Sequence, residues 1–421
     1  MDMTDLLVKP GRMLLPRKDL DWRLWACVAC DQFTSQPRYW EEVAALVGDQ
    51  PSALRLILPE CYLAEARIRI PNIHMEMRHY LDQGILEIGV KNGFILTVRD
   101  TGNGQRIGLV ALIDLEGYDC RVGSTSPIRP TEGTIKERIP PRVEVRQGAA
   151  LDMSHVLMLI DDAKASVIEP LYEKRMKLEK LYDFQLMMGG GHALGYGVAD
   201  PGDMVGVMDA LGRLRSGLPE ENPLLYAVGD GNHSLATAKS CWETLQPSLT
   251  YKQRLTHPAR FALIELVNIH NEALRFKPIH RLVTGCDGDA LLAEWGMHRA
   301  AGMIPPLGAG SMAIPCVHAG RNATVQIATS KPMRAIATLQ AFLDAWLVAH
   351  PKAKLDYIHG EAELREMAAK ENTLGFLMPQ LEKGALFATV DEEGILPRKA
   401  FSLGDAHEKR YYIETRRLDQ G

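Results

Sequence analysis

In the stretch LLYAVGDGNHSLATAK, residues 224–239, the apolar run Leu224 to Val228 ends in Asp230-Gly231-Asn232-His233-Ser234. Apolar residues then resume at Leu235, Ala236, Ala238 and Trp242 with helical spacing, so the polar residues sit at a strand-to-helix turn. Such a turn leaves backbone N–H groups unpaired at the positive end of the helix. A phosphate or carboxylate can bind there, and Gly231 lets the anion approach the chain. Asp230, Asn232, His233 and Ser234 then form a charged, proton-exchanging rim. The plainer alternative is that Asn232 or Ser234 only caps the helix and His233 lies on the surface.

Other clusters offer matching chemistry. Arg129, Glu132, Thr134, Arg138 and Arg142 fall in a segment too rich in Pro and Gly to be one helix. Guanidinium forks suit phosphate, and a carboxylate such as Glu132 beside a bound phosphate can take the proton of an attacking hydroxyl. The alternative is a solvated loop with surface ion pairs. Gly189-Gly190-Gly191-His192 presents three successive N–H groups without side-chain obstruction, an anion nest or a simple hinge. It matches neither the Walker A pattern nor G-x-G-x-x-G. His280 and Arg281 follow a strand-like run, and Lys399, Ser402, His407, Lys409 and Arg410 crowd a C-terminal motif. Asp31, Gln32, Thr34 and Ser35 follow a strand end, where side chains often face a ligand. Converging, these clusters would make a cationic pocket supplied with His and carboxylate groups.

The elements that must position them alternate irregularly. WRLWACVAC (22–30) reads as a strand, RYWEEVAALVG as a helix, residues 66–90 as helical, and FILTVRD-TGNG-RIGLVALIDL as a β-hairpin. A strand HVLMLIDD, a charged helix VIEPLYEKRMKLEKLYDF and a helix near 203–215 follow. Then come ARFALIELVNIH leading into FKPIHRLV, and the helix ATLQAFLDAWLVAH. The pattern predicts a mixed α/β (α+β) fold rather than a clean doubly wound sheet. We divide it into an N-terminal α/β region 1–125, a phosphate-binding core 126–285 and a C-terminal α/β region 286–421 that closes the site.

Bulk properties narrow the function classes. The 421 residues are 46% hydrophobic and 24% charged with a net charge of -5, which gives no global reason to bind nucleic acid or an anionic membrane. No basic-then-apolar leader and no run near the ~18 apolar residues of a spanning helix is present, so a cytoplasmic protein is expected. Seven cysteines, an odd number scattered through the chain, argue for reduced thiols. Cys27-x-x-Cys30 lacks a second Cys or His pair at zinc spacing, and its apolar surroundings favour structural cysteines over a redox or metal motif. No signal for oligomeric state is visible.

Taken together, ACDQFTSQPRYW, RPTEGTIKERIPPRVEVR, LMMGGGHALGY, AVGDGNHSLATAK, PIHRLV and LPRKAFSLGDAHEKRYY resemble the longer bacterial branch of a domain-of-unknown-function family. That family is related to the free serine kinases, whose fold is similar to ParB and sulfiredoxin. The resemblance covers nearly the whole chain. The Asp230 turn resembles the Asp-Gly-His-His-Arg or Asp-Gly-His-Thr-Arg turn of those kinases. This implies phosphate contact from Gly231, Asn232 and His233, with Asp230 near the transferred group or its Mg2+. Ser234 stands where the relatives carry arginine, so either the donor differs or Arg129, Arg281 or Lys399 supplies the charge. Arg129-Pro-Thr-Glu132 resembles an Arg-His-Glu motif and Pro278 to Arg281 a Pro-Thr-His-Arg motif; Lys399 to Ser402 corresponds more loosely to Lys-Ser-Thr. The implied activity is phosphotransfer between free L-serine and O-phospho-L-serine with pyrophosphate, ADP or ATP as donor. Glu132 would be the base and Asp230 its rival. A phosphoserine phosphatase and a ParB-like, nucleotide-binding regulator are the alternatives; the acidic balance and the lack of a helix-turn-helix signal speak against DNA.

Overall fold

The hairpin at 94–114 is the clearest expectation and the centre of the fold. Apolar runs on both sides of Thr101-Gly-Asn-Gly104 pair in register from Asp100↔Gln105 to Ile95↔Val110. The turn closes through Gly102, whose N–H donates to the Asp100 carboxylate. In the computed structural model, residues 6–133, 139–304 and 310–419 are described. The chain forms two units: Met1–Leu274 together with Asp405–Gly421, and Arg275–Gly404.

The first unit carries β1 (Val8–Lys9), β2 (Gly11–Pro16), β3 (Leu86–Asp100), β4 (Gln105–Asp114), β5 (Ile128–Pro130) and β6 (Leu151–Asp152). After these come β7 (Leu157–Ile160), β8 (Glu179–Gln185), β9 (His192–Val198), β10 (Tyr226–Asp230) and β11 (Phe261–Asn268). Ten of them build one sheet of order β5-β10-β7-β11-β4-β3-β9-β8, with β1 on β4 and β2 on β3. Residues from both sides of 125/126 therefore share one sheet. The fold is mixed α/β.

Period-2 alternation sorts the sheet's side chains into two cores. Leu96, Val98, Leu109, Ala111 and Ile264 join Leu235, Ala238 and Trp242 of the helix Asn232–Leu245 on one face. Ile95, Val110 and Leu263 join Trp40 of the helix Pro37–Val47 and Ile73, Met77 and Tyr80 of the helix Ala66–Asp82 on the other. Both faces are thus buried, which accounts for the nearly unbroken apolar runs of β7 and β11.

Three local expectations are corrected. WRLWACVAC is not one strand. Asp21 accepts from the Arg23 N–H and starts a four-residue helix, Trp22–Trp25, after which only the continuation is extended. That part pairs with the C-terminal segment: Ala29 N–H donates to Arg410 O and Tyr412 N–H to Cys27 O. VIEPLYEKRMKLEKLYDF is not a long charged helix either. It holds the short helix Glu169–Glu173 and then becomes β8. Pairing with β9 decides this: Tyr182 fills the space above Gly195, where an added Cβ would lie 2.1 Å from its ring, and Trp22 packs 5.5 Å from both Tyr182 and Phe184. Tertiary burial outweighs the charge spacing that favoured a helix. The helix expected through residue 90 ends at Asp82, and β3 starts at Leu86.

The second unit is a six-stranded sheet built from β12 (Phe276–Thr284), β13 (Met312–His318), β14 (Arg321–Ile327), β15 (Lys354–His359), β16 (Thr373–Phe376) and β17 (Phe401–Leu403). Their order is β14-β13-β16-β12-β15, with β17 on β12. The chain then returns to the first unit, where β18 (Arg416–Arg417) pairs with β6.

Candidate functional site

Strand direction gathers the site at one edge of the first unit's sheet. β5 runs parallel to β10, pairing Arg129 with Ala227 and Pro130 with Val228, so Thr131 and Glu132 leave the sheet at the end where Asp230 and Gly231 leave it. The Thr131 hydroxyl fixes this exit by donating to Val228 O at 2.6 Å. β7 runs antiparallel to β10 with Leu157 opposite Asp230, which brings His155, just before β7, to the same edge.

The turn itself requires glycine. Gly231 has a φ of +77°, and a Cβ there would lie 2.9 Å from Val156 Cα. Gly231 is the N-cap of the helix Asn232–Leu245 and no side chain among the described residues caps it, so neither Asn232 nor Ser234 plays the capping role. Asn232 is buried, and its Oδ1 has no hydrogen-bond partner among the described residues. The positive dipole of this helix end therefore favours an anion.

Charged groups surround this end. Lys409 Nζ, nearly buried, lies 3.3 Å from Asp230 Oδ2, while Asp230 Oδ1 accepts from the Gly231 N–H. Next to them His155 Nε2 lies 3.5 Å from Asp31 Oδ2, and His155 Nδ1 lies 2.7 Å from the Tyr412 hydroxyl. Burial works against charge on His155, but the Asp31 carboxylate outweighs it and raises the imidazole well above its ordinary value. Burial would raise Asp31; His155, the Gln32 amide at 2.9 Å and Lys409 instead hold it far below the usual carboxylate range. The pair is an imidazolium–carboxylate.

Arg99 ties these pieces down. Buried on β3, it donates to the carbonyls of Gly190, His407, Glu408 and Lys409. Burial, with Arg106 close by, lowers its pKa to about 9. It thereby locks the backbone that carries Lys409. A cavity of about 100 Å3 opens beside the cluster, lined by Cys30, Glu60, Arg142, Arg146, His155, Ser234, Thr237 and Tyr412 on its polar side and by Leu58, Met77, Leu151 and Met153 among its apolar walls.

Other sequence-selected residues fall as follows. Thr34 bonds within its own turn to Asp31 O, and Ser35 is exposed. Gly189, Gly190 and Gly191 form the β8–β9 turn. The Gly190 N–H is taken by Met187 O, and a Cβ on Gly190 would lie 2.4 Å from the Tyr411 hydroxyl. His192 pairs with Asp183 at 3.0 Å across that hairpin. His407 offers its carbonyl to Arg99. Arg142 pairs with Glu60. Thr134 and Arg138 lie outside the described residues. His280, Arg281, Lys399 and Ser402 belong to the second unit. There His280 is buried, its pKa lowered by burial, and its Nδ1 accepts from Met378 N–H. Arg281 donates to Gln340 and to the carbonyls of Ile279, Arg398 and Lys399, its pKa lowered by burial to about 10. The Ser402 hydroxyl donates to Gly404 O. Also in that unit, Asp287, Asp289 and His318 bring ligand atoms within 4.8 Å of one another, but Arg321 already sits 2.7 Å from Asp289 as its cation.

Sequence reading passed over His155, Tyr412, Arg146 and Thr237. For His155 a signal existed: a titratable residue at a strand entry, mirroring Asp230 at a strand exit. Tyr412 and Lys409 reach the site only because residues 405–417 return to the first unit. Cys27 is buried, its thiol pushed up by burial, and Cys27 and Cys30 are both free.

One family covers most of this chain: the one described as protein of unknown function (DUF1015) matches residues 8–352. The chain belongs to the DUF1015 family. No curated protein matches it. Among solved structures, this DUF1015 chain is similar to a free serine kinase variant in complex with ADP, at 11% identity and a TM-score of 0.40, covering 73% of this chain and 92% of that one. It is also similar to SbnI with a C-terminal truncation from Staphylococcus aureus, at 9% identity and 0.36, covering 70% and 82%. A third is a conserved hypothetical protein from Pyrococcus furiosus, at 10% identity and 0.34, covering 73% and 94%. None of the described helices is long and apolar enough to cross a membrane.

Proposed function

We propose that this DUF1015 chain is a phosphotransferase that interconverts free L-serine and O-phospho-L-serine, with a phosphoanhydride (pyrophosphate, ADP or ATP) as the donor. The observation that carries this reading is the uncapped, glycine-turned helix end at Gly231, flanked by the Asp230–Lys409 pair and sharing its sheet edge with Arg129 and Glu132. The motif resemblance of the same turn to that of the serine kinases supports it.

Phosphoryl transfer asks a protein mainly for alignment and charge neutralisation. In this reading the N–H groups opening the helix, with Asn232, His233 and Ser234, hold the transferred phosphate, and Lys409 and Arg129 offset its charge. Glu132 takes the proton as the serine oxygen bonds to phosphorus and the donor's P–O bond breaks. Asp230 is a hard oxygen ligand suited to Mg2+, which with donor oxygens needs few protein carboxylates and would supply further charge neutralisation.

Phosphorus NMR of the full chain with L-serine, Mg2+ and each donor in turn tests the reading. Phosphoserine formed with loss of the donor signal is the expected result. Release of inorganic phosphate from phosphoserine without any acceptor would instead make the protein a phosphatase. No turnover in either direction with any donor would remove the phosphotransfer reading.

A further inference from the structure

The cavity beside the helix Asn232–Leu245 is charged in a way that its own residues do not balance. Asp152 is fully buried between two guanidiniums, Arg146 Nη1 at 2.6 Å and Arg416 Nε at 3.0 Å. Burial alone would raise its pKa; the two arginines hold it down at about 2, so the triad keeps one positive charge in excess. Arg416 directs its Nη2 to the carbonyls of Pro258 and Phe261. Arg146 lines the cavity, and its buried Nη2 has no hydrogen-bond partner among the described residues. Thr237 lines the same cavity, is 97% buried, and its Oγ1 likewise has no partner. A buried charged donor and a buried hydroxyl, on two residues that line one cavity, are both left in want of an acceptor.

We propose that this cavity binds a small organic carboxylate, with Arg146 Nη2 and Thr237 Oγ1 donating to its oxygens and Leu58, Met77 and Leu151 covering its carbons. The volume, about 100 Å3, leaves room for an acid of about three carbons. The apolar walls favour a ligand with carbon to cover over inorganic phosphate, whose oxygens would face them unpaired. As the seat of the acceptor's carboxylate the assignment rests on the phosphotransfer reading above; as a carboxylate pocket it rests on the cavity alone.

Calorimetric titration of the full chain with L-serine, L-alanine, L-lactate, ethanolamine and inorganic phosphate tests it without any turnover. Saturable binding of at least one of the three carboxylates is expected, with ethanolamine, which lacks the carboxylate, at least tenfold weaker. Thr237→Val should weaken that carboxylate about tenfold, the loss of one charge-assisted hydrogen bond. Thr237→Ser should restore it. The melting temperature of Thr237→Val should hold, because the hydroxyl has no hydrogen-bond partner among the described residues. The proposal is overturned if none of the carboxylates binds, if ethanolamine binds as well as they do, if Thr237→Val binds like the parent, or if phosphate binding alone depends on Thr237. Carboxylate binding that depends on Thr237 in a protein that transfers no phosphate would keep the pocket and sink the phosphotransfer reading. Turnover indifferent to Thr237→Val would keep that reading and sink the assignment of this pocket to its acceptor.

Discussion

His155 and Asp31 show how position creates chemistry from ordinary residues. An exposed histidine titrates near ~6.5 and an aspartate near ~3.9. Here the carboxylate raises the histidine and the imidazolium lowers the aspartate. A raised folded-state histidine contributes stability that is complete below its unfolded value and is lost as pH rises through the folded one. A depressed aspartate contributes above its unfolded value and loses that contribution as pH falls through the folded one. The stability advantage of the parent over His155→Gln should therefore be largest between about pH 4 and 6.5 and shrink as the solution turns alkaline. Thermal melts of both proteins from pH 5 to 9 check this; an advantage growing with pH would mean that the histidine is buried neutral. At the same edge, Glu132→Gln removes a proton acceptor while changing little volume. It should cut turnover by about 10²–10⁴-fold and leave phosphoserine binding measurable by calorimetry. Wild-type turnover in that variant would pass the role of base to another group, Asp230 first.

The decisive element is the strand-turn-helix unit β10 to Leu245. Its turn needs glycine for two separate reasons, the left-handed backbone and the approach of Val156 Cα to 2.9 Å from any added Cβ. Gly231→Ala should therefore cost about 1–3 kcal/mol, read from urea unfolding. Gly231→Asn separates the reasons, because asparagine tolerates the left-handed region but not the contact. We expect it to be no better than alanine; full recovery of stability would leave the backbone angle as the only constraint. The β8–β9 hairpin makes the complementary point. Gly195 yields to Tyr182 and Gly190 to Tyr411, so these glycines are spaces for aromatic rings as much as turn formers.

At the scale of the whole molecule, residues 405–417 complete the first unit from the far end of the chain. Arg410 contacts Glu265 at 3.5 Å and Glu414 at 3.0 Å, and Arg106 contacts Glu265 at 3.2 Å, all buried. Removing one member strands the opposite charge, so Glu265→Gln should destabilise the protein by about 3–5 kcal/mol in chemical denaturation. Loss of under 1 kcal/mol would mean that water relieves the network. The same segment buries Tyr411, Tyr412 and Ile413, and a chain ending at Gly404 should lose the cooperative melt of the first unit.

Local signals in the chain determined the hairpin at 94–114, the strand-turn-helix at Asp230 and the mixed α/β character, because each depends on apolar runs or on a glycine turn within some twenty residues. Strand 179–185 was misread because Tyr182 and Phe184 obey partners, Gly195 and Trp22, far away in sequence. Tertiary structure alone decided that Lys409 faces Asp230, that Tyr412 holds His155, and that Arg146 and Thr237 border one cavity. The physical reason is that ion pairing and burial act through space: a run of residues fixes which groups are available, and only the direction and order of strands in the sheet fixes which of them meet.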